Sequence, residues 1–96
     1  MSKYELLYIV DRDLTDENRD ALIEKIKALL VEKGAEITGL DKWGIKKLAY
    51  PINFKHEGFY VLVTFATENH KLVGEMSNLI NITDGVARHL FVKKEN

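Results

Sequence analysis

Cysteine is absent from this 96-residue chain. Disulfide staples, thiolate zinc sites and cysteine nucleophiles are therefore excluded, and a reducing compartment suits it. Long apolar runs are absent too: Leu6 to Val10 and Phe59 to Val63 fall far short of the roughly 20 residues that span a bilayer. The opening Met-Ser-Lys-Tyr-Glu lacks a signal-peptide pattern, so a soluble cytoplasmic protein with no membrane contact is expected. Catalytic groupings are also lacking. His56, His70 and His89 are scattered without metal-ligand spacing. The paired acids Asp11 with Asp13, and Asp16 with Glu17, sit at a helix start, where capping and the helix dipole account for them. No glycine-rich phosphate loop, nucleophile elbow or Ser-His-Asp arrangement is present. No enzyme, metal, cofactor or small-molecule substrate is expected.

What is present is a core-forming composition and an uneven charge. Hydrophobic residues make up 46%, enough for one domain over residues 1–96, with a short tail at 94–96, burying roughly 60–65% of its unfolded surface. The formal net charge of −1 conceals a bipolar distribution. From Asp11 to Glu36 eight acids stand against five bases, whereas Lys42 to His56 holds four lysines and no acid. Arg88, Lys93 and Lys94 add bases near the C-terminus. One face is then suited to a polyanion while the other repels it, although interspersed charge also keeps small domains soluble.

The hydrophobic periods order the elements. Tyr4, Leu6, Tyr8 and Val10 share one parity, and Leu7 and Ile9 the other, as in a strand contacted on both faces. Thr15 is the N-cap candidate of a helix, with Leu14 as a staple and Asp16 and Glu17 in the first turn. Leu22, Ile26, Leu29, Leu30 and Lys33 follow helical spacing until Gly34 stops the helix. A second strand runs from Ala35 to about Tyr50, bulged or twisted at Gly39 and Gly44, and Pro51 ends it. A polar turn over Asn53 to Glu57 leads to a third strand, with Phe59, Val61, Val63 and Phe65 on one face and Tyr60, Leu62 and Thr64 on the other. Leu72, Val73, Met76, Leu79 and Ile80 mark a second helix. Thr83-Asp84-Gly85 turns the chain into a fourth strand, Val86 to Lys93.

Strand-helix-strand-strand-helix-strand is the order of an α+β split βαβ, or ferredoxin-like, sandwich: a four-stranded antiparallel sheet of order 4-1-3-2 with two helices on one face. The opposite face lacks cover, yet strands one and three carry apolar residues of both parities. Such a surface calls for a partner, and lysines on the edge strand discourage unwanted pairing.

Several segments carry a resemblance. Lys3-Tyr4-Glu5, Gly34-Ala35-Glu36-Ile37, and above all Trp43-Gly44-Ile45-Lys46-Lys47-Leu48-Ala49-Tyr50-Pro51-Ile52 resemble the bacterial small-subunit ribosomal protein six family. Gly58-Phe59-Tyr60 and Asp84-Gly85-Val86-Ala87-Arg88-His89-Leu90 are similar to its third and fourth strands, so the match covers essentially the whole chain. The resemblance implies a monomeric protein that pairs with small-subunit ribosomal protein eighteen and docks, as that pair, on the central domain of the small-subunit ribosomal RNA. Lys46 and Lys47 stand where the family usually has arginines, keeping charge but losing the bidentate fork. Asn81 replaces a frequent arginine near the end of helix two, so no phosphate contact is carried there, whereas Arg88 matches the family's base on strand four.

The candidate phosphate contacts are Lys3, Lys46, Lys47 and Arg88, followed by Lys42 and Lys55; the alternative for each is a solvated charge. Tyr4, Trp43, Tyr50 and His89 are candidates for RNA or partner contact. Strand packing is the favoured alternative for Tyr4, whereas Trp43, between two glycines, suits an interface.

Two related readings compete. An RNA-recognition motif stacks bases on aromatics of its third strand, but in Gly58-Phe59-Tyr60-Val61 a valine stands where the second aromatic belongs. Small acyl-phosphate hydrolases share the topology, yet Asp11-Arg12-Asp13-Leu14-Thr15 is no glycine-rich loop, and fold alone licenses no activity. The alternative from another class is a homo-oligomeric regulatory or ligand-binding domain covering its open sheet with a second copy.

Overall fold

The computed structural model describes the backbone of residues 1–52 and 55–94, with side chains described outside residues 47–56. Six elements follow in order: β1 (Ser2–Asp11), α1 (Asp16–Glu32), β2 (Glu36–Ile52), β3 (Lys55–Thr67), α2 (Leu72–Asn81) and β4 (Val86–Lys94). The strands pair antiparallel in the order β2-β3-β1-β4, the arrangement expected from the element order.

Strand parity decides what each face meets. Across β1 and β3, Leu6 opposes Val63, Tyr8 opposes Val61 and Val10 opposes Phe59, and all of these are buried. They pack with Leu22, Ile23, Ile26 and Leu30 of α1 and Leu72, Met76 and Ile80 of α2 in one core cluster. Ile23 joins the α1 stripe at 1% exposure, beyond the residues that the helical spacing singled out.

Local chemistry sets the helix ends. Asn18 donates its backbone N–H to Thr15 Oγ1 at 3.1 Å, the expected N-cap. The start of α2 is held differently, by Asn69. Its Oδ1 accepts from the Lys71 N–H at 3.0 Å, while its Nδ2 donates to the Lys33 carbonyl at 2.8 Å. Thr67 Oγ1 donates to the Gly34 carbonyl at 3.1 Å. The end of α1 and the start of α2 are thereby tied together by side chains that satisfy otherwise orphaned backbone groups.

Two boundaries differ from expectation. β2 runs through Pro51 to Ile52, which pairs with Lys55, so β3 begins within the turn expected over Asn53–Glu57, whose residues 53 and 54 lie outside the described residues. Proline is tolerated because β2 is an edge strand with one row of backbone groups unpaired in any case. β4 reaches Lys94, where a tail was expected to begin, and the Lys94 Nζ pairs with Glu5 at 3.2 Å. Residues 95 and 96 of that tail lie outside the described residues.

Among the described residues, Tyr8 is a polar misfit of the core. Tyr8 is wholly buried, and its hydroxyl finds no hydrogen-bond partner among the described residues. Burial first, and the Glu24 carboxylate second, push its phenol well above the ordinary value near 10. An unmet hydroxyl costs desolvation without return, so Tyr8→Phe is expected to be neutral or to gain up to about 1 kcal/mol in urea unfolding. Because the folded-state pKa is raised, the wild type should lose stability as pH climbs past about 10, where only the unfolded phenol ionises. Tyr8→Phe should lose less; an equal alkaline loss in both chains would remove Tyr8 as its cause.

Candidate nucleic-acid and partner interface

The face turned away from the helices is built from the other parity. On β1 it carries Lys3, Glu5, Leu7 and Ile9, which oppose Lys94, Val92, Leu90 and Arg88 of β4. On β3, Leu62 and Tyr60 stand opposite Leu7 and Ile9. Leu90 is 58% exposed and Val92 42%, a large apolar exposure for neighbours on one strand face. An open cleft lined by Leu7, Ile9, Tyr60, Arg88, His89 and Leu90 runs across this half of the sheet.

The β2 half owes its shape to bulges. Register shifts occur between Ile37 and Gly39 and between Lys42 and Gly44, each adding a residue to β2 relative to β3. In an unbroken strand, residues three apart point to opposite faces. The second bulge sets Trp43 and Gly44 together against Tyr60 and then restores pairing at Ile45 with Phe59 and Lys46 with Gly58. Lys46 is thereby brought to the same face as Trp43, and its Nζ lies 5.9 Å from the indole centroid. Gly44 adopts φ +88, a backbone conformation that a side chain would strain. The first bulge has a tighter requirement: a Cβ on Gly39 would come within 2.6 Å of Thr64 Oγ1. It leaves both Ile37, opposite Phe65, and Leu40, opposite Val63, packed against the core.

Trp43, 46% exposed, lies parallel to Tyr60 with ring centroids 6.4 Å apart and 9° between planes. Among the described residues, the two aromatics of the open face thus come from neighbouring strands, an arrangement invisible to a search for both on β3.

The candidate residues divide between the two faces. Lys3, Trp43, Lys46 and Arg88 lie on the open face, with Arg88 beside Tyr60 in the cleft. Tyr4, Lys42 and His89 lie on the helix side. Tyr4 stacks on Phe65 at 5.5 Å and 17°, and Lys42 Nζ meets Asp20 Oδ1 of α1 at 3.4 Å. His89 Nε2 is 2.7 Å from Ser77 Oγ of α2, with its ring edge-on to Phe91 at 6.0 Å. Partial burial lowers the His89 pKa from the ordinary histidine value, favouring the neutral imidazole that can share a proton with a hydroxyl. The side chains of Lys47, Tyr50 and Lys55 lie outside the described residues.

Sequence reasoning passed over Leu90, Val92 and Tyr60 as contact residues. For Leu90 and Val92 a signal existed: they share parity with Arg88. The charge contrast is weaker in three dimensions than along the chain. On α1 the exposed acids Asp16, Glu17, Asp20, Glu24 and Glu32 stand with Arg19, Lys25 and Lys27, and by register the open face carries Lys3, Lys46, Arg88 and Lys94 with Glu5, Asp11, Glu36 and Asp41. Among the described residues no three His, Asp or Glu side chains gather as a metal site.

Known proteins match the chain over nearly its full length. A family model described as Ribosomal protein S6 matches residues 3–93. The small ribosomal subunit protein bS6 of Caldanaerobacter subterraneus subsp. tengcongensis is 45% identical over 96 residues, covering 100% of both chains. The protein of that name from Fusobacterium nucleatum is 43% identical, covering 99% of this chain and 100% of its own. In fold, the chain is similar to the 30S ribosomal protein S6 of Thermotoga maritima, with a TM-score of 0.90 at 24% identity over 97% of this chain and 87% of that one.

Proposed function

Since the chain belongs to the ribosomal protein S6 family, we propose that it is a structural component of the small ribosomal subunit in the cytoplasm. In this reading it binds the central domain of the small-subunit ribosomal RNA together with small-subunit ribosomal protein eighteen, and is monomeric when isolated. The observation that carries the reading is the uncovered sheet face, apolar at Leu90 and Val92 and edged by Lys3, Lys46 and Arg88.

The division of labour follows from the chemistry of that face. The cleft lined by Leu7, Ile9 and Leu90 offers aliphatic surface to a protein, which gains by removing it from water. The cations offer charge-assisted contacts to phosphate oxygens, which fix register and orientation and carry little sequence information. Acids on α1 turn that side away from the RNA, so the chain approaches sheet first. No bond is made or broken; the work is positioning.

Filter binding of the chain with ribosomal protein eighteen to central-domain RNA, repeated across salt, tests this. The wild type should show affinity falling steeply with salt through counterion release, and Arg88→Ala should bind more weakly with a salt slope reduced by about 1. Binding no tighter than to an unrelated RNA, or a stable homodimer by light scattering that excludes the partner, would sink the reading.

A further inference from the structure

From the arrangement around the second β2 bulge, we propose that Trp43, backed by Tyr60 and flanked by Lys46, is a stacking platform for one unpaired nucleobase of RNA. The inference deepens the ribosomal reading and rests on it. Three features of the bulge lead there.

The first is the ring itself. Trp43 is 46% exposed although its side chain is among the costliest to leave in water, and its plane is held within 9° of Tyr60. A held, flat and solvated π-face suits another flat π-system, and base–aromatic stacking accepts any base because every base has such a face. A base already stacked within a helix has both faces occupied, so the occupant is an unpaired one.

The second feature is the cation. A nucleobase arrives attached to phosphates, and the Lys46 Nζ lies over the indole ring, 5.9 Å from its centroid, so an incoming base displaces this flexible ammonium and leaves it beside the stack, within reach of the phosphate. Asp41, opposite Leu62 on that face, lies on the other side of Trp43 along β2. Phosphate is drawn toward Lys46 and kept from Asp41, which gives the stacked nucleotide a preferred direction.

The third feature is the space beside the ring. Gly44 brings no side chain, and a Cβ there would meet nothing within 4 Å. The glycine that allows the bulge also leaves the approach to the platform open. The aliphatic cleft for a protein is lined chiefly from β1 and β4 and reaches only to Tyr60 on β3, so the two partners meet at Tyr60, on the side of it away from Trp43's strand.

Trp43 is the sole tryptophan, so its emission reports its own contacts. The chain is titrated first with ribosomal protein eighteen and then with a central-domain RNA transcript, with the Trp43→Phe chain as emission blank. The partner is expected to leave the emission nearly unchanged, and the RNA to quench it by more than half. Trp43→Leu should weaken RNA binding about ten- to hundredfold while Trp43→Phe, which keeps a π-face, stays within about fivefold of the wild type. Both variants should melt within a few degrees of the wild type, since the side chain is exposed. Full RNA affinity in Trp43→Leu, or emission that responds to the partner and not to RNA, would overturn the platform while leaving the ribosomal reading standing. Failure of the wild-type pair to bind the transcript would remove both.

Discussion

Leu90→Asp is expected to weaken docking of ribosomal protein eighteen by at least about a hundredfold in a calorimetric titration, with the isolated chain melting within a few degrees of the wild type. Leu90 is 58% exposed, so folding loses little when it is replaced. It stands opposite Leu7 in the cleft proposed for the partner. Hot-spot side chains at interface centres cost 2 kcal/mol or more when lost, and a carboxylate buried there without a partner costs about 3–5 kcal/mol. Arg88 shares the cleft, so its positive charge offsets part of that cost. The uncharged Leu90→Ser therefore serves as a check, expected to weaken docking about tenfold by loss of apolar contact alone. Undiminished docking in both variants would move the partner off this half of the sheet.

The opposite outcome is expected at Phe65, on the helix side. Phe65→Ala should lose about 3–5 kcal/mol in urea unfolding, the range for deleting a buried aromatic that leaves a cavity behind. Phe65 is 1% exposed, stacked on Tyr4 at 5.5 Å and edge-on to Phe91 at 6.2 Å. Its ring on β3 thus packs against Tyr4 of the neighbouring β1 and reaches Phe91 of β4 beyond it. Total stabilities of about 5–15 kcal/mol leave a domain little margin for such a loss. A drop below about 1 kcal/mol would show that the surrounding side chains collapse into the space.

These two leucine and phenylalanine positions show how differently the faces are written into the chain. The period-2 pattern of β1 and β3 was legible because their inward residues, Leu6, Tyr8 and Val10 with Val61, Val63 and Phe65, are uniformly apolar. Thr15 as N-cap was legible because capping is a local exchange of hydrogen bonds. β4 was harder. Leu90, Phe91 and Val92 are three apolar residues in succession, and only Phe91 packs against the core; nothing local marks which parity is outward. Likewise His89 carries no local sign of its meeting with Ser77, twelve residues earlier on another element.

β2 shows the limit most clearly. Its glycines signalled interruptions, yet a signal for a bulge does not say which residue becomes the extra one. Simple alternation separates Trp43 from Lys46, whereas the observed register unites them. Lys42, beside Trp43 in sequence, instead reaches α1 and pairs with Asp20. Its contribution there is small, as exposed ion pairs are worth about 0–1 kcal/mol, but its direction matters, because it removes one of the expected cations from the open face.

By itself, then, the order of residues determined the element order, the caps and the inward face of the central strands, since each follows from chemistry between near neighbours in the chain. Only the tertiary structure decided that Trp43, Tyr60, Lys46 and Arg88 share a surface and that Tyr4, Lys42 and His89 turn away from it. Strand register is set by backbone hydrogen bonds between segments distant in sequence, and one added residue in β2 sends every later side chain to the opposite face.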